Sequence, residues 1–320
     1  MKLLVTGGAG FIGSNFLKRQ ISANPLGAAR ITVLDKLTYA GNLKNFTKSE
    51  LHQMDFVQGD ICDSALVEKL IKNADVVVNF AAESHVDRSI AGASEFVTTN
   101  TLGTQVLLEK SLKFEIEKFV QISTDEVYGS IDEGSWDEEC PLLSNSPYSA
   151  SKAGADLLVR SYNRTFGLNT NITRCSNNYG PFQYPEKIIP LFVTNLLQNR
   201  DLPIYGTGLN VRDWLHVNDH CRGIEMVIKS GREGEIYNIG GGEELTNMEL
   251  SLKILTILGF DESKIKNVPD RLGHDSRYSV SIKKISDELG YFPETDFAVG
   301  LEETIDFYRN NSQWWMPLIR

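Results

Sequence analysis

Apolar residues along the chain gather into short runs that end in glycine or a carboxylate, and between those runs they recur at helical spacing. Residues 2–6 are rich in Leu and Val and are bounded by Gly7 and Gly8, which predicts a buried parallel strand. Phe11, Ile12, Phe16, Leu17 and Ile21 then keep a helical interval, and residues 31–34 form a second strand that ends in Asp35. The alternation continues with a strand over 54–58, a helix over 64–72 with Ser64 as its N-cap, and a central strand over 75–80. A long helix is expected over 95–112, a strand over 118–123 and another over 170–174. Between those two strands the turn 144–147 opens a helix, and Pro147 suits its first turn.

Beyond Pro181 the rhythm loosens, and helical stretches over 188–198, 219–229 and 247–258 alternate with extended pieces over 202–205 and 236–239. The pattern predicts an α/β fold with a Rossmann-type doubly wound parallel sheet over 1–180, to which a strand returns near 211–240. Residues 181–320 are expected to be mainly a smaller α/β substrate-binding domain. Composition is compatible with this, because 41% hydrophobic and 23% charged residues in 320 suit an ordinary globular chain with a sizeable core. The net charge of -10 argues against nucleic acid or an anionic membrane surface as the main partner, so an anionic substrate must meet local positive charge. Cys62, Cys140, Cys175 and Cys221 are far apart, with no paired spacing for a disulfide framework or a metal site. A reducing cytoplasm is the expected location. The first strand runs straight into the glycine turn and no apolar run approaches a membrane span, so neither a signal peptide nor a membrane partner is expected.

Candidate chemistry starts at that turn. Gly8, Gly10 and Gly13 satisfy G-x-G-x-x-G, and Gly7, Gly10 and Gly13 satisfy the wider G-x-x-G-x-x-G spacing. Alone the triad is a weak signal, but strand, glycines, helix, strand and acid come here in the order a dinucleotide site requires. Amides at the helix start would hold a pyrophosphate. Asp35 can accept from a ribose 2′-hydroxyl and would repel a 2′-phosphate, which favours NAD over NADP. Asp60 follows a strand and could meet the adenine, while the small residues after the 75–80 strand let backbone approach a ligand. The 118–123 strand delivers Thr124, Asp125 and Glu126 to the carboxyl edge of the sheet, where ligands bind in open α/β folds. Tyr148 and Lys152 are spaced to share a helix face, where burial beside the cation and a cofactor's positive charge can lower the phenol's pKa from about 10 towards a useful base. Each feature has a plainer reading, as a solvated acid pair after a strand or an ordinary helix-surface pair.

With the motifs 6–13, 81–89, 123–129, 177–181, 206–214 and 270–275 and the Tyr148/Lys152 pair in view, the chain resembles the extended short-chain dehydrogenase/reductase family over nearly its whole length. It is most similar to the branch that dehydrates dTDP-glucose, chiefly because of the Asp125-Glu126 pair, which sugar-nucleotide epimerases of the family generally lack. Leu272 stands where proline is usual, and the segment between Glu126 and Tyr148 is shorter than in the longer members. The resemblance implies an NAD-retaining lyase that turns dTDP-glucose into the 4-keto-6-deoxy sugar. Tyr148 would take the proton of the 4-hydroxyl, with Thr124 bonded to it and Lys152 beside it. Glu126 would remove the carbon-5 proton, and Asp125 would protonate the departing 6-hydroxyl, roles that require the two pKa values to be pushed apart.

For the cofactor the resemblance implies Gly7, Gly10, Phe11, Ile12, Gly13, Asp35, Lys36, Leu37, Thr38, Asp60, Ile61, Ala81, Ala82, Glu83, Ser84, Thr99 and Asn178, with Tyr148 and Lys152. For the substrate it implies His85, Thr124, Asn177, Lys187, Ile188, Pro203, Ile204, Tyr205, Asn247 and His274, with Arg212 and Arg271 as diphosphate partners because a guanidinium fork matches phosphate oxygens. Plainer readings stay open, with Lys187 as a surface charge, 203–205 as a simple extended piece and His85 as a loop histidine. His52, His216 and His220 read as structural, and Trp314-Trp315 as packing of the terminal segment. Relatives in the family suggest a homodimer through two helices per subunit, here 95–112 and 148–165. The rival readings are a 4-epimerase or simple dehydrogenase, neither of which needs the acid pair, and a catalytically silent dinucleotide-binding protein, which needs none of these groups.

Overall fold

The computed structural model describes residues 1–319. Among them twelve strands are formed: β1 Lys2–Thr6, β2 Arg30–Asp35, β3 Asp55–Gln58, β4 Val76–Asn79, β5 Lys118–Thr124, β6 Thr170–Cys175, β7 Asn177–Tyr179, β8 Leu202–Tyr205, β9 Val211–His216, β10 Ile236–Ile239, β11 Glu243–Thr246 and β12 Ile265–Val268. Seven make one sheet in the order β10-β6-β5-β4-β1-β2-β3, and every pairing is parallel. Parallel strands need both faces covered, which is why these segments read as continuous apolar runs. Leu3, Val5, Val33 and Val78 pack on one face with Phe16 and Leu17 of the helix Phe11–Ala23 and Ile224 of the helix Val217–Ser230. Leu4, Leu34 and Val77 point to the other face, against Val67, Leu107 and Val159 of three further helices. The strand order reverses between β1 and β4, so a crevice opens above their carboxyl ends.

A second apolar cluster unites Phe192, Leu250, Ile254, Leu301, Trp314 and Trp315. It lies under a three-stranded sheet, β11-β9-β7, and a two-stranded one, β12-β8. Of the stretch expected to return to the main sheet, β10 does so beside β6, whereas β9 pairs with β7 and β11 in the small sheet. Both terminal tryptophans are buried, as expected, and their indole N–H groups donate to Asn45 Oδ1 and to the Tyr308 carbonyl.

Two local expectations are corrected. Asp63, not Ser64, caps the helix Ser64–Ile71, because its carboxylate accepts from the amides of Ala65 and Leu66, both at 3.1 Å. The long helix over 95–112 is not uniform. Ser94–Phe96 runs into a π-helical stretch, Val97–Leu102, before regular helix resumes over Gly103–Lys113. Such widened turns recur at functional sites, and this one carries two groups used below. No helix among the described residues is long and apolar enough to cross a membrane.

Candidate active site

The glycine turn after β1 is sterically closed to side chains. Gly7 has a φ of +67°, and a Cβ there would lie 2.5 Å from the Ala81 amide nitrogen. A Cβ on Gly13 would lie 2.4 Å from the Gly7 carbonyl oxygen. The backbone therefore passes close to both neighbours, and Gly10, as N-cap, leaves the first amides of the helix Phe11–Ala23 without a side-chain acceptor. Asp35 closes β2 beside this turn and accepts from the amides of Ala9 and Leu37, both at 2.8 Å. Burial pushes its carboxyl above the usual range, and those two amides counteract it. Asp60 responds oppositely: burial works upward, but the Lys36 ammonium at 2.8 Å and the Cys62 amide hold it below that range.

Across the crevice, Ala81 to Ser84 follow β4, and Asn100 of the π-helical turn fixes them. Its side chain accepts from the Glu83 amide at 2.9 Å and donates to the Glu83 carbonyl at 3.0 Å and to Ser151 Oγ at 2.8 Å. Thr99, on the same turn, reaches the cleft. Every residue expected at the cofactor lines this one cleft except Leu37, which turns through a φ of +55° and gives its amide to Asp35.

β5 delivers the acids. Thr124 caps a short 3-10 turn, Asp125–Tyr128, by accepting from the Glu126 amide at 3.2 Å. Asp125 is 3% exposed; its Oδ1 accepts from Thr124 Oγ1 at 3.2 Å and its Oδ2 has no partner. Burial, then the charges of Glu126 and Asp213, raise its carboxyl well above the ordinary range. Glu126 is also raised by burial, but Arg271, Lys187 and Arg212 all pull it down. The leading charges on the two acids thus have opposite sign, acids at Asp125 and cations at Glu126, although Arg212 also pulls Asp125 down and Asp275 pushes Glu126 up.

Tyr148 is the second residue of the helix Pro147–Phe166, started by a capping box between Ser146 and Ser149. Among the protein's own groups, burial, then the charges of Glu126 and Cys175, raise the phenol well above 10.0, and the Thr124 side chain works in the other direction. Lys152, one helical turn on, donates its ammonium to the Ile122 carbonyl at 2.6 Å, and burial depresses its own pKa.

A second cleft opens towards the small sheets. Of the residues expected at the substrate, His85, Asn177, Lys187, Ile188, Pro203 and Ile204 line it, as do Tyr205, Arg212, Asn247, Arg271 and His274. Thr124 lines the first cleft instead. Glu126, Asn177, Glu186 and Lys187 line both, so the two clefts meet at Glu126. Arg212 leaves β9 nearly enclosed; its guanidinium donates to the carbonyls of Val211 at 2.7 Å and Asp275 at 3.0 Å and lies 4.4 Å from the Tyr278 ring centroid. Arg271 Nε is buried without a partner. Lys187 donates to the Ser84 carbonyl at 2.9 Å, and His274 Nδ1 lies 2.6 Å from Asp270 Oδ1. Three cations therefore converge on one cleft of an acidic protein.

The family described as GDP-mannose 4,6 dehydratase matches residues 4–304. The chain belongs to this family. A dTDP-glucose 4,6-dehydratase from Streptomyces antibioticus is 57% identical over 321 residues, covering 99% of this chain and 95% of the relative. Among solved structures, DesIV, a dTDP-glucose 4,6-dehydratase from Streptomyces venezuelae with NAD bound, matches with a TM-score of 0.98 at 56% identity, over 100% of both chains. A dTDP-glucose 4,6-dehydratase from Bacillus anthracis in complex with NAD matches with a TM-score of 0.92 at 49% identity, again over 100% of both.

In this family member several cleft groups escape sequence reasoning. Gln183, Tyr184 and Glu186 line the cofactor cleft, yet they lie in an irregular stretch with no periodic signal. Trp214 and Tyr278 line the second cleft from a strand and from a loop, where apolar burial alone accounts for them. Asp87 lies inside the 81–89 motif but carries no expectation of its own. His220, read as structural, is fully buried with Nδ1 2.9 Å from Asn178 Oδ1, so it orients a residue of the cofactor cleft.

Proposed function

We propose that the protein converts dTDP-glucose into dTDP-4-keto-6-deoxyglucose and water, with NAD as its resident cofactor. The side-chain-free cradle at Gly7, Gly10 and Gly13 and the enclosed Asp35 carboxylate suit a dinucleotide whose ribose carries a free 2′-hydroxyl. When bound, NAD supplies a positive ring and takes up hydride from carbon 4 and returns it to carbon 6, so the net change is loss of water. Tyr148 takes the proton of the sugar's 4-hydroxyl while Thr124 bonds to that oxygen, and the positive ring of bound NAD would counter the burial that holds the phenol's proton on. Lys152, held on the Ile122 carbonyl, keeps a positive charge beside the phenol. Glu126, surrounded by three cations, serves as the carboxylate that removes the carbon-5 proton once carbon 4 is a ketone. Asp125 stays protonated and gives its proton to the departing 6-hydroxyl. Lys187, Arg212 and Arg271 attract the diphosphate, with Arg212 and Arg271 as its forked partners.

The observation that carries this reading is the adjacent acid pair at the junction of the two clefts, one member favouring its proton and the other exposed to cations. A 4-epimerase or simple dehydrogenase has no use for the pair. In this reading residues 1–180, with the returning strand, serve the cofactor and 181–320 mainly the nucleotide sugar. A cytoplasmic homodimer completes it, with the helices over 95–112 and 148–165 as its interface; the exposed Val97, Leu102 and Leu157 and neighbouring Phe166 on those segments support this. The test is mass spectrometry of dTDP-glucose deuterated at carbon 4, incubated with purified protein and no added NAD. Loss of one water with deuterium at carbon 6 is expected, whereas an unchanged mass, followed by turnover of a UDP-, GDP- or CDP-sugar, would reassign the base.

A further inference from the structure

Asp87 joins the two walls of the substrate cleft. It lies in the first turn of the helix Val86–Ala91, which His85 caps by accepting from the Arg88 amide at 3.4 Å. From the opposite wall, Tyr205 at the end of β8 donates its hydroxyl to Asp87 Oδ2 at 3.1 Å. Arg271, in the loop after β12, places Nη1 4.0 Å from Asp87 Oδ1. That Oδ1 is buried without a hydrogen bond, and so is Arg271 Nε. The Tyr205 ring in turn stands edge-on to His274, with centroids 6.1 Å apart. One carboxylate therefore contacts two of the side chains assigned above to the nucleotide sugar, across the cleft. An acid in a cleft that receives a dianion is electrostatically unfavourable unless it does something else.

We propose that Asp87 is a positioning residue for nucleotide-sugar binding: it holds Tyr205 and, through charge, Arg271 at the orientation the diphosphate-linked sugar requires. This rests on the nucleotide-sugar reading above. Asp87 touches no reacting atom in that reading, so its removal is felt in binding and not in chemistry. Ordering Tyr205, an exposed side chain, and Arg271, a long one, before substrate arrives removes an entropy cost from the binding step.

The experiment uses the intact protein and dTDP-glucose. Asp87→Ala is expected to raise KM about tenfold with kcat unchanged, the loss of one hydrogen bond to a charged acceptor. Asp87→Asn keeps the side-chain shape and an acceptor for Tyr205 but not the charge on Arg271, and its KM is expected to fall between those of wild type and Asp87→Ala. Because Asp87 acts partly through Tyr205, adding Asp87→Ala to Tyr205→Phe should raise KM by less than it does alone, the remainder being the share carried by Arg271. Equal loss in the Ala and Asn variants, a fall in kcat at constant KM, or multiplicative effects in the double variant would overturn the assignment. A wild-type protein without turnover of dTDP-glucose would instead remove the nucleotide-sugar reading beneath it, so the two failures are told apart by the wild-type rate.

Discussion

Replacing Asp125 with asparagine separates the two acids. Asp125 is enclosed, and burial with the charges of Glu126 and Asp213 keeps its proton on. Asparagine matches that neutral shape but has no proton to transfer, so folding and substrate binding should persist while delivery of a proton to the leaving hydroxyl is lost. A positioned general acid contributes roughly 10²–10⁴ in rate, which is about 2.7–5.5 kcal/mol of barrier. The assay is mass spectrometry of dTDP-glucose and its product in deuterated water. In Asp125→Asn, elimination should slow by that factor while carbon 5 still exchanges its hydrogen, because Glu126 is intact. In Glu126→Gln both should stop. Wild-type elimination by the Asn variant, or loss of carbon-5 exchange along with elimination, would refute the division of labour.

The same substitution has a consequence for stability. A carboxyl whose folded pKa exceeds its unfolded value disfavours the fold when ionised, so the cost is absent below the unfolded value of 3.8 and grows as pH rises towards the folded one. Asp125→Asn removes that cost and should melt at a higher temperature than wild type at neutral pH, with the two curves converging towards pH 4. Each unit of elevation is worth about 1.4 kcal/mol.

Three further outcomes follow from the geometry. If Glu126 is the base, the acid limb of the kcat profile should lie above its ordinary 4.5, since burial raises it and activity is lost as pH falls through that value; a limb at or below 4.5 would point to another group. Asp35→Ala should weaken NAD binding by about tenfold to a hundredfold, the size of a charged hydrogen bond, with the protein purifying depleted of dinucleotide. Asp156 and Arg174 form a nearly solvent-free ion pair at 2.9 Å, with Arg174 also donating to Tyr128. Asp156→Ala, which strands the guanidinium, should cost about 3–5 kcal/mol in urea unfolding.

The legibility of the fold and the obscurity of parts of the site share one cause, the sequence distance over which each interaction acts. Strands such as Val76–Asn79 are buried on both faces, so their own residues announce them, and Gly13 is closed locally by the Gly7 carbonyl, although Gly7 itself is closed by the distant Ala81. Asp63 and Ser64 are both good caps, and only the carboxylate's actual amide partners decide between them. A π-helical turn adds no characteristic residue type, so Thr99 could be numbered in advance but neither Asn100 nor the widening that carries both. Lys152 shows the limit most directly. Its spacing from Tyr148 is correct for a shared face, yet the ammonium is claimed by the carbonyl of Ile122, thirty residues earlier in the chain. Electrostatics follow the same rule: Glu126 is tuned by Lys187, Arg212 and Arg271, three cations from three different segments, which only the completed fold brings to one carboxylate.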